Sequence, residues 1–154
     1  MRTLPRVLWG WLLMLSFASG EELRPLSTDR PDTTESPHTV DAGHFQMEWE
    51  IAAWEKDGSA RQLTLGELNA KVGLTYSSDL QVILPFYQKA RMGGEGFGDM
   101  EVRLKQNLWG NDEGRTALGL MPFVRIPTAN GSLGNGEWEG GLIVPLGLEG
   151  PAGW

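Results

Sequence analysis

The sequence predicts an all-β fold, an antiparallel up-and-down β-meander of about six strands. Three observations predict it. From Gly43 onward apolar and polar residues alternate with period two; turn-forming clusters interrupt the alternation; and no segment sustains the period of an amphipathic helix.

The first 20 residues read as an export signal and are set apart from the fold. Arg2 and Arg6 give a positive start, residues 7–18 are an apolar run, and Ala18-Ser19-Gly20 supplies the small residues that signal peptidase requires. The run is short for a spanning helix, and Glu21-Glu22 follow in place of a basic stop-transfer flank. Residues 21–42 form a polar segment carrying Pro25, Pro31 and Pro37, which excludes a regular helix or a central strand.

Residues 43–154 carry the strands. In the first, Phe45, Met47, Trp49 and Ile51 share one face, and Gln46, Glu48 and Glu50 the other. In the second, Leu68, Ala70, Val72, Leu74 and Tyr76 oppose Asn69, Lys71 and Thr75. The third, near residues 80–88, aligns Leu80, Val82, Leu84 and Phe86. The fourth sets Met100, Val102, Leu104 and Leu108 against Glu101, Arg103, Lys105 and Asn107. The fifth (about 115–126) and sixth (about 137–149) are apolar on both faces for much of their length. Asp57-Gly58, Ser77-Ser78-Asp79, Gly93-Gly94, Asn111-Asp112-Glu113-Gly114 and the Asn130-Gly131 stretch carry hairpin chemistry between them.

Strands of about 9–12 residues exceed the usual soluble length and suit a tilted transmembrane strand. Two architectures fit: a secreted soluble β-sandwich whose polar face meets water, and an outer-membrane barrel whose polar face lines an enclosed lumen. Trp49, Tyr76, Phe86 and Trp138 fall on the apolar parity, and Trp54 and Trp109 near strand ends, where barrels place aromatic girdles. Pro85, Pro122 and Pro145 sit inside apolar runs, and local bulges are expected at each.

Other classes are disfavoured. Twenty acidic residues against thirteen basic, with no basic stripe, make a poor nucleic-acid binder. There is no cysteine for a disulfide or thiolate site. Asp29, Asp32 and Glu35 lack the EF-hand spacing and its glycine, so no metal is expected; Asx turns and a pairing with Arg30 are expected instead. His38 and His44 lack the spacing of a zinc pair and read as satisfied polar residues. Ser36, His38 and Asp41 lie too close in sequence to form a triad, and no nucleophile elbow is present, so no catalysis is expected. The glycines of residues 94–98 precede no helix that could receive a phosphate, so no cofactor is expected there.

The segment Thr28-Asp29-Arg30-Pro31-Asp32-Thr33-Thr34-Glu35-Ser36-Pro37, followed by Gly43-His44-Phe45-Gln46-Met47-Glu48, resembles the start of a bacterial outer-membrane transporter family described by a MetA pathway of phenol degradation. Gly98-Asp99 with Arg103-Leu104-Lys105 and Asn107-Leu108-Trp109-Gly110 is similar to its second signature, and residues 117–128 with Glu139-Gly140-Gly141-Leu142 to its third. The resemblance implies a β-barrel in the outer membrane, with lipid as its surroundings and a small, aromatic or otherwise apolar solute as cargo. Family members continue for several more strands. The expectation is therefore an incomplete outer-membrane β-barrel, a truncated form or fragment that closes only with further C-terminal strands or a second chain.

The residues expected to line the lumen are Glu48, Glu50, Lys71, Glu101, Arg103, Lys105 and Arg125, with Asp29, Arg30, Asp32 and Glu35 as an N-terminal motif at the barrel mouth. They either set the electrostatics of a solute path or form a ladder that satisfies a polar interior. A soluble binding sandwich and a structural barrel without transport are the competing functions. Cleavage after Gly20 removes two arginines and no acid, moving the formal charge from −7 to −9. Intact mass of the exported protein is expected to show Glu21 as the first residue; retention of residues 1–20 would make the segment an anchor.

Overall fold

The computed structural model describes residues 23–29, 35–57, 60–91, 93–112, 114–131 and 133–149. The expected export signal, and Arg30 and Asp32, lie outside the described residues. Those described contain no helix. Eight strands form one sheet: β1 (Phe45–Asp57), β2 (Ala60–Thr75), β3 (Ser78–Ala90), β4 (Glu95–Gly96), β5 (Met100–Trp109), β6 (Thr116–Ile126), β7 (Glu139–Ile143) and β8 (Leu146–Leu148). The path β1-β2-β3-β5-β6-β7 is antiparallel at every step; β4 pairs with the end of β3, and β8 with the start of β6. The meander is not closed into a barrel. β1 forms one edge, and β7 with β8 the other.

The strand count differs from the expected six at two places. Glu95-Gly96, just past the Gly93-Gly94 turn signal, pairs with Lys89 and Gln88. The sixth expected strand is divided at Val144-Pro145. The three prolines do not bulge the sheet: Pro85 and Pro145 stand where a ladder stops, and Pro122 in a gap of the β5–β6 ladder. Pro85 stays in register with Glu67 on β2, and on its other side the β3–β5 pairing has already ended at Ile83. Its carbonyl accepts from Gly98 N at 3.1 Å, so its missing N–H falls on the side without a ladder. Pro122 pairs with Leu142, while the β5 register is the same on either side of it, Arg103 opposite Phe123 and Gln106 opposite Leu120. β7 and β8 hold a common register on β6 across Pro145, whose carbonyl accepts from Gly119 N at 2.9 Å. The register shifts lie elsewhere, between Gly73 and Thr75 and between Asn107 and Trp109.

β1 and β2 run longer than the alternation predicts because the alternation changes phase within them. Gly66 has a φ of +68°, a conformation that a Cβ disfavours. One face carries Glu48 and Glu50 of β1, Glu67, Asn69 and Lys71 of β2, and Asp79, Gln81 and Ile83 of β3. Past Gly66 the same face carries Ala53, Gln62, Thr64 and Gln88, so the parity inverts at one level in all three strands. The Trp49 ring covers the gap, 3.5 Å from where a Gly66 Cβ would stand, and stacks on Phe86 with centroids 5.4 Å apart.

The two faces have opposite polarity from those of a water-soluble sheet. The largest fully buried side chains are Lys105, Met121, Gln81, Asn69, Asp29 and Asp79. The opposite face exposes Phe45, Met47, Trp49, Ile51, Leu104, Leu108, Leu142 and Leu146. Burial of the ionic face comes from an N-terminal strap, residues 23–29 and 35–44, laid over it. The strap ends in a parallel bridge of Ala42 with Gly73, where Gly43 N donates to Gly73 O at 2.9 Å and Gly73 N to His44 O at 3.0 Å. Gly73 is required by this approach, since a Cβ would stand 2.0 Å from the Asp41 carbonyl oxygen. Gly73→Ala is expected to cost about 3 kcal/mol, because backbone must shift. Denaturant unfolding followed by circular dichroism checks this; an unchanged midpoint would mean the strap is not held there.

Candidate functional site: the ionic face beneath the strap

Period-two geometry sends alternate side chains of β1, β2, β3 and β5 to the strap-covered face, and antiparallel register brings them into rows. One row reads Glu48, Asn69, Ile83, Glu101, Arg125, Glu139 across the sheet. The next reads Gln46, Lys71, Gln81, Arg103. Asp79 stands opposite Lys105 in a third.

Asp29 of the strap enters this array at its most buried point. Its carboxylate accepts from Lys105 Nζ at 2.9 Å, from Lys71 Nζ, and from Ser36 N at 2.7 Å. Its own N–H donates to Glu48, at 3.1 Å to the nearer oxygen, and Glu48 accepts from Lys71 Nζ and from Gln46 Nε2. Two carboxylates thus face two ammoniums, with the buried Asp79 carboxyl beside them. Burial alone would raise the Asp29 carboxyl, but Lys105 and Lys71 outweigh it and hold it below the ordinary aspartate value. At Asp29 the expected local Asx turn is replaced by a bond to a backbone N–H seven residues on and by pairs with strand lysines. Arg30 lies outside the described residues.

A second network runs outward along the same face. Glu35 of the strap pairs with Arg103, Arg103 with Glu101, Glu101 with Arg125 at 3.0 Å, and Arg125 with Glu139 at 2.9 Å. Each guanidinium is held between two carboxylates, the forked geometry for which arginine is suited. Further fastenings join strap to sheet: Val40 N donates to Asp79 at 3.0 Å, Thr39 exchanges hydrogen bonds with Asn111, and Asn107 Nδ2 donates to the Pro37 carbonyl at 2.9 Å. At the strap's start Arg24 pairs with Asp41 and lies 5.2 Å over the Tyr76 ring. His38 Nδ1 and His44 Nδ1 each donate to a backbone carbonyl, of Asn111 and Ala42.

The structure gathers six of the seven strand residues singled out from sequence, Glu48, Lys71, Glu101, Arg103, Lys105 and Arg125, into these two networks. The seventh, Glu50, lines the cavity beyond the strap. Of the N-terminal motif, Asp29 and Glu35 join them; Arg30 and Asp32 are not among the described residues. Sequence reasoning missed Asp79, Gln81, Asn111 and Thr39. Gln81 could have been found, as a polar residue at an alternate position between Leu80 and Val82. Asp79 was absorbed into a turn although it opens β3. No group of His, Cys, Asp and Glu among the described residues has the geometry of a metal site.

Beyond the strap the same face opens into a cavity of about 420 Å³, lined by Glu50, Thr64, Glu67, Asp99, Arg103 and Arg125 among others. Fold and site together define an all-β protein: an open antiparallel meander with an ionic face closed by its own N-terminal segment. Residues 28–154 match the family described as "Putative MetA-pathway of phenol degradation", and the chain belongs to that family. The name connects the family with phenol degradation. No curated protein and no solved structure matches the chain.

Removing the Asp29 charge takes away the carboxylate that bonds both buried ammoniums. Asp29→Asn is expected to cost about 3–5 kcal/mol in denaturant unfolding, and to open the strap to limited proteolysis first. Because the folded carboxyl is depressed, its stabilisation is complete above the unfolded value of 3.8 and is lost as pH falls through the lower folded value. Protease sensitivity of the strap is therefore expected to rise only below about pH 4 in the native chain and to rise less in the variant, where Arg24–Asp41 remains; a rise near pH 6 would point to another group.

Proposed function

We propose that this chain forms part of the wall of an outer-membrane β-barrel that passes small solutes. One observation carries the reading: apolar side chains cover the open face, while the ionised ones are buried against the strap. In water that arrangement is unfavourable on both counts, whereas lipid outside and an enclosed polar interior make it favourable on both. A soluble sandwich would bury the Phe45, Met47, Trp49, Ile51 row against a second sheet. The described residues supply none.

The two ends of the sheet support the same reading. Short connections join β2 to β3 and β5 to β6 at the strap end; at the other, where only two residues separate β1 from β2, lie the longer 91–99 and 127–138 segments, stitched by Asn130 N to Phe97 O and Phe97 N to Asn130 Oδ1, both 2.9 Å. Outer-membrane barrels have short turns on the periplasmic side and longer loops outside. The edges at β1 and β7–β8 cannot stand unpaired in hydrocarbon. Closure is therefore assigned to further strands, from a continuing chain or from a partner. Phenolic and other small aromatic solutes are the cargo that the family's name supports. A structural barrel without transport is favoured by one observation, the strap filling the face at the level of Asp29.

In fractionated cells the chain is expected with the outer membrane, released by detergent and retained through high-salt washing. Recovery in the soluble periplasmic fraction would overturn the membrane reading and leave the binding sandwich.

A further inference from the structure

We infer that the face beneath the strap has a second, water-filled state, reached when the arm of residues 23–29 withdraws from it. The inference rests on packing and not on solute passage. Its starting point is an imbalance in what the strap compensates. Lys71 and Lys105 are bonded by Asp29, Asp79 by Val40 N, Asn107 by the Pro37 carbonyl and Asn111 by Thr39. Asn69 is compensated by nothing. It is 1% exposed, and among the described residues neither its Oδ1 nor its Nδ2 has a hydrogen-bond partner. Gln81, fully buried on β3, donates to Asp79 at 2.9 Å but leaves its own Oε1 unbonded.

The two amides are neighbours: Asn69 stands between Glu48 and Ile83 across the sheet, and Gln81 opposite Lys71, the next position of β2 on this face. A buried amide without partners carries its full desolvation cost, so an apolar side chain of the same shape suits the covered face better. An amide suits a wet one. The strands cannot admit that water, because Glu48, Asn69 and Ile83 are fixed in ladder register. The strap can. Residues 35–44 end in backbone-to-backbone bonds with Gly73. Residues 23–29, among the described residues, bond to the strands only through strand side chains, those of Gln46, Glu48, Lys71 and Lys105. Their ties to the other arm, Ser27 to Ser36, Arg24 to Asp41 and Asp29 to Ser36 N, also involve side chains. Ile83 lines the cavity beyond the strap, so withdrawal extends that cavity along Asn69 and Gln81.

Hydrogen exchange of the full chain, read peptide by peptide by mass spectrometry, tests this. In the native chain the amides of residues 23–29 are expected to exchange by a local opening insensitive to low denaturant, while Gly73 exchanges only as the sheet unfolds. Asn69→Leu removes the unbonded amide and is expected to slow exchange of residues 23–29 about tenfold. Asn111→Leu, which removes an amide that the strap does bond, is expected to speed exchange of residues 35–44. Strap and sheet exchanging together in the native chain would overturn the inference, whether or not either variant folds. Strap exchange in Asn69→Leu as fast as in the native chain, or faster, would overturn it too, since Asn69 would then have a fixed partner such as a bound water beneath the strap. Equal slowing by Asn111→Leu would trace the effect to added apolar bulk and overturn it likewise.

Discussion

Charged groups leave bulk water only when partners replace the water, and the architecture of this chain follows from that constraint. Lys71 and Lys105 project from neighbouring parts of the sheet to one buried point, where an ammonium without a partner is costly. Asp29 supplies the compensation, with Glu48 beside it, and it arrives on a segment that is not part of the sheet. The strap is therefore the counter-ion of the strands as much as their cover. Its remaining fastenings, Val40 to Asp79, Thr39 to Asn111 and Pro37 to Asn107, bring backbone groups that form no ladder under buried amides and carboxylates that need partners. Segment and sheet solve one another's desolvation.

The meander was legible in the sequence because a sheet with one apolar and one ionic face writes its period directly into the residues. Glu101, Arg103 and Lys105 alternate with Val102 and Leu104, and nothing helical competes. The ionic partners were legible as a set because parity alone assigns them to one face. Their pairing was not, since register and the path of the strap are tertiary facts. Glu35 meets Arg103 across a sequence distance that no local rule spans. The phase change at Gly66 was hidden for a different reason: a glycine inside a strand signals irregularity without stating its form. The prolines misled in a related way. Each lacks a donor, which a bulge can accommodate, but the end of a ladder, or a gap in one, does so equally well and keeps the register.

The strap-covered face changes with height. At the level of Asp29 it is filled by paired charges. At the level of Glu50 and Thr64 it opens into the cavity. The arginines between the two levels, Arg103 and Arg125, belong to both, tied downward to Glu35 and laterally to Glu101 and Glu139.

The inversion of side-chain phase at Gly66 has a consequence for how such a protein can change. Because three adjacent strands switch at one height, the sheet consists of two bands whose positions on the ionic face are set separately. Insertions or substitutions in the band beyond Gly66 can redraw what it presents without shifting the residues that clamp the N-terminal segment. The fold thereby separates the part free to diversify from the part that holds it together, and a single glycine, roofed by Trp49, marks the seam.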